Sequence, residues 1–166
     1  MGKDTIIFVK THHIQERLLP PTWCINQIFF IMVQKITLRM TADRHFTLEP
    51  ERTLESLNPK EMLLYATADC ASRTIVGLLK EHVDDLLSFT ITLEGVLSTA
   101  TVVAESKYNS FNIVYSAECR TLKEQIVISR AINLSHDKYC GMLQMLRRIA
   151  PLSHEISIVT TGETNS

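Results

Sequence analysis

Four cysteines stand at Cys24, Cys70, Cys119 and Cys140 in 166 residues, with no C-x-x-C pair among them. That number and spacing lack the density of a secreted disulfide scaffold and suit a reducing compartment, so a cytoplasmic protein is expected. A thiol does chemistry as the thiolate, the nucleophilic form. Cys70 sits within an apolar segment, where desolvation lifts a thiol above its usual ~8.5 and favours an inert core residue. Reactivity there demands a cation. Arg73 is three residues on and close on a helix surface, while Arg39, Arg44 and Arg52 approach from the preceding segment. Arg73 has an alternative partner in Asp69 at i,i+4. Cys140 lies five residues after Ser135, about one turn into a helix and near Lys138, so its local field favours a thiolate more than that of Cys70. Cys119 on an apolar strand face reads as packing, and Cys24 as incidental.

Six histidines (His12, His13, His45, His82, His136 and His154) are scattered. His136 and Cys140, four apart, place two metal ligands on one helix face, but no third is patterned, so neither a metal nor a cofactor is expected. G-x-S-x-G, P-loop and G-x-G-x-x-G patterns do not occur, which removes support for serine hydrolase, P-loop NTPase and Rossmann readings.

The elements that must position these thiols follow from periodicity. Ile36–Met40 and His45–Leu48 alternate about Thr41–Arg44, predicting a hairpin of two half-buried strands. Asn58-Pro59-Lys60-Glu61 then opens a helix: Asn58 suits the N-cap, Pro59 the first turn, and Glu61 reaches back in a capping box. Running to about His82, this helix is apolar or small nearly all round from Met62 to Leu79, which predicts burial on most sides. Cys70 is 12 residues beyond Asn58, about 18 Å at ~1.5 Å per residue, out of reach of the helix dipole. Leu87, Phe89, Ile91 and Leu93 alternate with Ser and Thr in a strand expected to end at Gly95. Thr99–Ala104 and Phe111–Cys119 read as two more strands, the latter with Phe111, Ile113, Tyr115, Ala117 and Cys119 on one face. A helix over Glu124–Leu134 is followed by a second over His136–Ala150, with Ser135 as N-cap, a stripe of Tyr139, Met142, Leu143, Leu146 and Ile149, and Pro151 as the stop. Ile156–Val159 is a last strand, and residues 161–166 form a polar tail. Strands, a helix, more strands and more helices describe an α+β fold.

Length fits one domain, and 45% apolar with 21% charged residues is ordinary for a globular chain. A formal charge of −1 cannot create the positive field that nucleic-acid binding requires. The longest apolar run, Trp23–Val33, has 11 residues against the roughly 20 needed to span a bilayer, so no membrane partner is expected. Met1-Gly2 fails the myristoylation pattern because Ile6 stands where Ser or Thr is needed. Residues 1–35 carry four basic and two acidic residues without an amphipathic period, and patterning begins at Lys35. They are expected to be an extension, with Met32 as the natural start and residues 36–160 as the working domain.

Two stretches carry a family resemblance. Asn58-Pro59-Lys60-Glu61-Met62-Leu63-Leu64-Tyr65-Ala66-Thr67-Ala68-Asp69-Cys70 resembles the "NPEELLLAALAAC" helix start of the OsmC/Ohr family. Arg130-Ala131-Ile132-Asn133-Leu134-Ser135-His136-Asp137-Lys138-Tyr139-Cys140 resembles its second, "KYC" cysteine helix. The resemblance spans roughly Ile36–Val159. It implies an OsmC-like fold, an antiparallel sheet wrapped around the long Cys-bearing helix, and an intertwined homodimer with active sites at the subunit interface. By the same resemblance, Cys70 is the peroxidatic thiol that attacks an organic hydroperoxide. Cys140 resolves the sulfenic acid as a disulfide, and an external dithiol reduces the pair.

In that family an Arg salt-bridged to a Glu stabilises the thiolate, and the Glu follows the Pro directly. Here Lys60 stands in its place. Glu61 is one position later, turned about 100° round the helix, and is already used by the cap. Lys60 is about 15 Å along the axis from Cys70. Arg52 and Arg44, with Arg73, are the candidates for thiolate stabilisation. The resemblance therefore implies hydroperoxide reduction through a Cys70/Cys140 cycle, slowed by the missing Glu. The alternatives are a non-catalytic dimeric binding module with an apolar interface pocket for a small hydrophobic or thiol ligand, or an interaction protein whose cysteines only pack.

Overall fold

The computed structural model describes residues 6–9, 32–80, 82 and 86–162. Alternation builds its sheet. In β4 (Ser88–Leu97) the residues Phe89, Ile91, Leu93 and Leu97 are buried while Thr90 and Thr92 between them are half-buried, as a strand with one face on a core requires. β5 (Tyr108–Cys119) buries Phe111, Ile113, Tyr115, Ala117 and Cys119 on its matching face. The predicted hairpin is β2 (Val33–Met40) and β3 (Phe46–Glu49), and its turn holds Arg44 at φ +63°. β6 (Leu152–Thr160) and β1 (Ile6–Val9) complete a six-stranded sheet in the order β1-β6-β5-β4-β2-β3. β1 comes from the segment expected to be an extension; residues 1–5 and 10–31, with Cys24, and the tail end 163–166 lie outside the described residues.

The sheet is antiparallel except for β5 and β6, which run parallel. That pairing follows from the connection: a parallel neighbour needs a long crossover, and two helices lie between these strands. α2 (Leu122–Leu134) is capped by Thr121 and Glu124 in a reciprocal box. It continues into a π-helical turn, Ser135–Tyr139, before α3 (Gly141–Ile149).

α1 (Pro59–Leu79) begins as predicted: Asn58 Oδ1 accepts from the amides of Lys60 and Glu61, and Glu61 Oε2 accepts from the Asn58 amide at 3.0 Å. It packs on β2 and β4, while α2 and α3 flank it. Leu64, Ala68, Ala71, Ile75 and Leu79, spaced three and four apart, form its buried stripe. By length and composition this helix could cross a membrane, but that stripe is core.

Four expectations are corrected. α1 is buried along one face only: Met62, Ala66, Arg73 and Gly77 are open in the single chain, and the helix stops at Leu79 before Lys80, whose φ is +47°. β4 starts at Ser88, leaving Leu87 41% exposed, and runs through Gly95. The reason for glycine there is contact, since a Cβ would strike the ring of Tyr108. Residues 99–104 are not a strand but part of the β4–β5 loop. The strand pair closes at Ser98 N to Lys107 O (2.8 Å), and Ser106 Oγ accepts from the Val103 amide (3.0 Å). Ser135 is not an N-cap: it is the C-cap of α2 with helical backbone, and its buried hydroxyl donates to the Ala71 carbonyl of α1 at 3.3 Å. The predicted helix over 136–150 accordingly begins late, and its stripe narrows to Leu143 and Leu146, with Tyr139 and Ile149 more than half exposed.

Candidate functional site

The fold brings together the two cysteines that sequence singled out. Cys70, eleven residues into α1, is half-buried; Cys140, the residue before α3, is fully buried. Both are free thiols, with Sγ atoms 3.3 Å apart. A disulfide spans about 2.05 Å, so little more than an ångström of approach separates this contact from a bond. Cys119 lies on the buried face of β5 and takes no part in the contact.

The two sulfurs are not equivalent. Burial pushes the Cys140 thiol up to about 11, and its neighbour Cys70 adds to that rise; the amides of Leu143 and Met142 at the start of α3 act the other way and are outweighed. The expected bias of Cys140 toward the thiolate is therefore not found. Lys138 does not change this, because its ammonium sits 5.3 Å over the Tyr139 ring. Cys140 stays protonated and donates its S–H to Cys70 Sγ. A half-buried cysteine whose sulfur accepts, beside a fully buried one whose sulfur donates, can divide attack and resolution between them.

Two of the three candidate arginines have carboxylate partners. Arg73 Nε donates to Asp69 Oδ2 at 2.7 Å, the i,i+4 pairing read as its alternative, and that bond raises its pKa further. Arg52 Nη1 and Nη2 both reach Glu61 Oε1, at 3.3 and 3.2 Å. An Arg–Glu pair thus exists, on the capping Glu, nine residues and about 14 Å before Cys70 along the helix. Arg44 occupies the β2–β3 turn. Lys60 docks on the β4–β5 loop, its Nζ 2.8 Å from the Val103 carbonyl.

Sequence reading missed a polar cluster behind Cys140. The Tyr115 hydroxyl lies 3.2 Å from His136 Nδ1, and the rings of His136 and His154 stack with centroids 4.0 Å apart. Burial, then His154 and Arg147, drives His136 down to about 3 against the pull of Asp137; His154 is lowered by burial as well. His136 and Cys140 do not converge as a ligand pair, since the ring meets Tyr115 and His154 while the sulfur meets Cys70. Among the described residues no group of three or more His, Cys, Asp or Glu is placed to hold a metal. The one signal in the sequence was a histidine four residues before a cysteine.

The sign of the histidine effect is fixed by linkage. Between about 3 and 6.5 the unfolded chain binds a proton at residue 136 that the folded chain refuses, so stability falls with falling pH across that window. From pH 6.5 to 5 the loss is roughly 2 kcal/mol. Calorimetric Tm should drop over this range in the wild type and much less in His136→Asn; a flat wild-type profile contradicts it.

A groove of about 670 Å³ runs along α2, lined by Leu122, Ile126, Arg130, Leu134 and Asp137 among others, and neither cysteine borders it.

A two-layer α+β architecture with a paired dithiol between a central helix and a crossover helix defines the class. The OsmC-like protein family model matches residues 51–155. The chain belongs to the OsmC-like protein family. YhfA of Escherichia coli K12 and YhfA of Shigella flexneri are each 28% identical to it over 102 residues, 61% of this chain and 73% of theirs. A chain solved in structural genomics shares the fold with a TM-score of 0.52 at 22% identity, covering 78% of this chain and 99% of that one.

Proposed function

We propose that this protein reduces organic hydroperoxides with its own dithiol. The Cys70 thiolate attacks the distal peroxide oxygen, the O–O bond breaks, and the departing alkoxide takes a proton to leave as alcohol. Cys70 is then a sulfenic acid. The Cys140 thiol attacks that sulfur, water leaves, and a Cys70–Cys140 disulfide remains; an external dithiol restores both thiols by exchange. The observation that carries this reading is the 3.3 Å Sγ–Sγ contact between a half-buried and a fully buried cysteine. The reducing compartment that free thiols suit is the cytoplasm.

The open face of α1, with Met62, Ala66 and Gly77, supports a homodimer in which this helix packs against a second copy. Burial of that face would bring the apolar wall for an organic substrate to Cys70. A slow enzyme is expected, because Lys60 holds the place of the family Glu and Arg73 is engaged by Asp69. The same two facts favour, as the second reading, a binding module for a small hydrophobic or thiol ligand without turnover.

Dithiol consumption coupled to cumene hydroperoxide separates the two. Turnover should exceed that with hydrogen peroxide by about tenfold or more, reflecting apolar burial of the organic group. Rates at the level of buffer would favour the binding module, and equal turnover of the two peroxides would contradict the preference for an organic substrate.

A further inference from the structure

His136 is a side chain that the dithiol chemistry leaves unexplained. It is 1% exposed and lies in the π-helical turn that ends immediately before Cys140. Its Nδ1 is 3.2 Å from the Tyr115 hydroxyl on β5, and its ring stacks at 34° and 4.0 Å on His154 of β6. Its carbonyl accepts from Gln144 Nε2 of α3 at 3.1 Å. The residue before it is tied on both sides: Ser135 Oγ donates to the Ala71 carbonyl, beside Cys70, at 3.3 Å, and the Ser135 carbonyl accepts from the Cys140 amide at 3.0 Å. One turn is thereby joined to α1, β5, β6 and α3, and the next residue carries the resolving sulfur. A leucine would fill this space with no polar ring to satisfy, whereas a buried imidazole must be held in one orientation by its partners. Single π-helical turns also tend to mark sites where a side chain must be re-aimed.

We infer that His136 is a positioning residue: its hydrogen bond with Tyr115 and its stack on His154 hold the π-helical turn, and through it the Cys140 sulfur, in contact with Cys70. The inference rests on Cys70 and Cys140 acting as a pair, but not on hydroperoxide as the oxidant. That separation allows a test with oxidised glutathione. The Cys70 thiolate displaces one glutathione thiolate to give a mixed disulfide. Cys140 then attacks the Cys70 sulfur, forming the internal disulfide, and its proton goes with the second glutathione. Two protein thiols are oxidised and one glutathione disulfide is reduced.

The ratio of internal to mixed disulfide, multiplied by the glutathione concentration, is the effective concentration of Cys140 at Cys70, and acid quenching with mass spectrometry of the full chain reads it. His136→Ala should lower it by about tenfold or more while the rate of mixed-disulfide formation stays within about twofold. His136→Asn, whose side-chain amide offers both an acceptor and a donor to the Tyr115 hydroxyl, should restore it to within about threefold, and Tyr115→Phe should lower it by about fivefold. An unchanged effective concentration in His136→Ala overturns the inference, as does failure of His136→Asn to restore it. An equal fall in the first step also overturns it, because that marks general loss of packing. Should His136→Ala not fold, Tyr115→Phe decides alone, and a wild-type value there overturns the inference. A protein inert to hydroperoxide would leave these ratios intact, so the two readings fail separately.

Discussion

Cys70→Ser is expected to reduce dithiol-dependent consumption of cumene hydroperoxide to background, a loss on the order of a thousandfold or more, because a nucleophile has no substitute. The companion variant, Cys140→Ser, should behave differently. It keeps the Cys70 sulfur and removes only the buried donor 3.3 Å away, so one equivalent of peroxide is still consumed and a sulfenic acid persists at Cys70, trapped by dimedone. The asymmetry follows from the environments: burial holds Cys140 up near 11 and keeps it a thiol until Cys70 is oxidised. Equal loss in both variants, with no trapped sulfenic acid in either, would mean that the pair does not divide attack from resolution.

Phe89→Ala is expected to cost about 3–5 kcal/mol, a large share of the roughly 5–15 kcal/mol that holds a domain of this size together. Phe89 is fully buried in β4, opposite Ala117 of β5, with its ring edge-to-face on Phe46 of the β2–β3 hairpin at 6.0 Å. Truncation leaves a cavity beside Phe46 and Ala117. Urea unfolding should show a lowered midpoint with an unchanged m-value. A loss below about 1 kcal/mol would show that the sheet closes over the gap, contrary to a core packed to this degree.

Much of the domain was legible because its signals are local. Asn58, Pro59 and Glu61 announce the start of α1 through hydrogen bonds that span three residues, and the alternation in Phe89, Ile91 and Leu93 states which way β4 faces. The misreadings came where a distant partner decides. Gly95 reads as a strand end until the Tyr108 ring from the next strand is seen against it. Ser135 reads as a cap until Ala71, 64 residues away, claims its hydroxyl. The apolar girth of α1 predicted burial on most sides, and in the single chain the stripe of Met62, Ala66, Arg73 and Gly77 stays open.

The site divided along the same line. Cys70 and Cys140 were found from their motifs, each a short segment, and their contact across 70 residues is what the fold supplies. Arg52 meeting Glu61 and Tyr115 meeting His136 are tertiary pairings between side chains with no shared spacing. Arg73 with Asp69 was legible, since one helix turn separates them.

The dithiol claim meets its most direct test in one stoichiometric equivalent of cumene hydroperoxide added to the reduced protein, followed by thiol counting and peptide mapping. The expected result is rapid loss of two thiols per chain, with the peptides of Cys70 and Cys140 joined and Cys119 still reduced. Unchanged thiols, or a disulfide that joins any other pair, would contradict it.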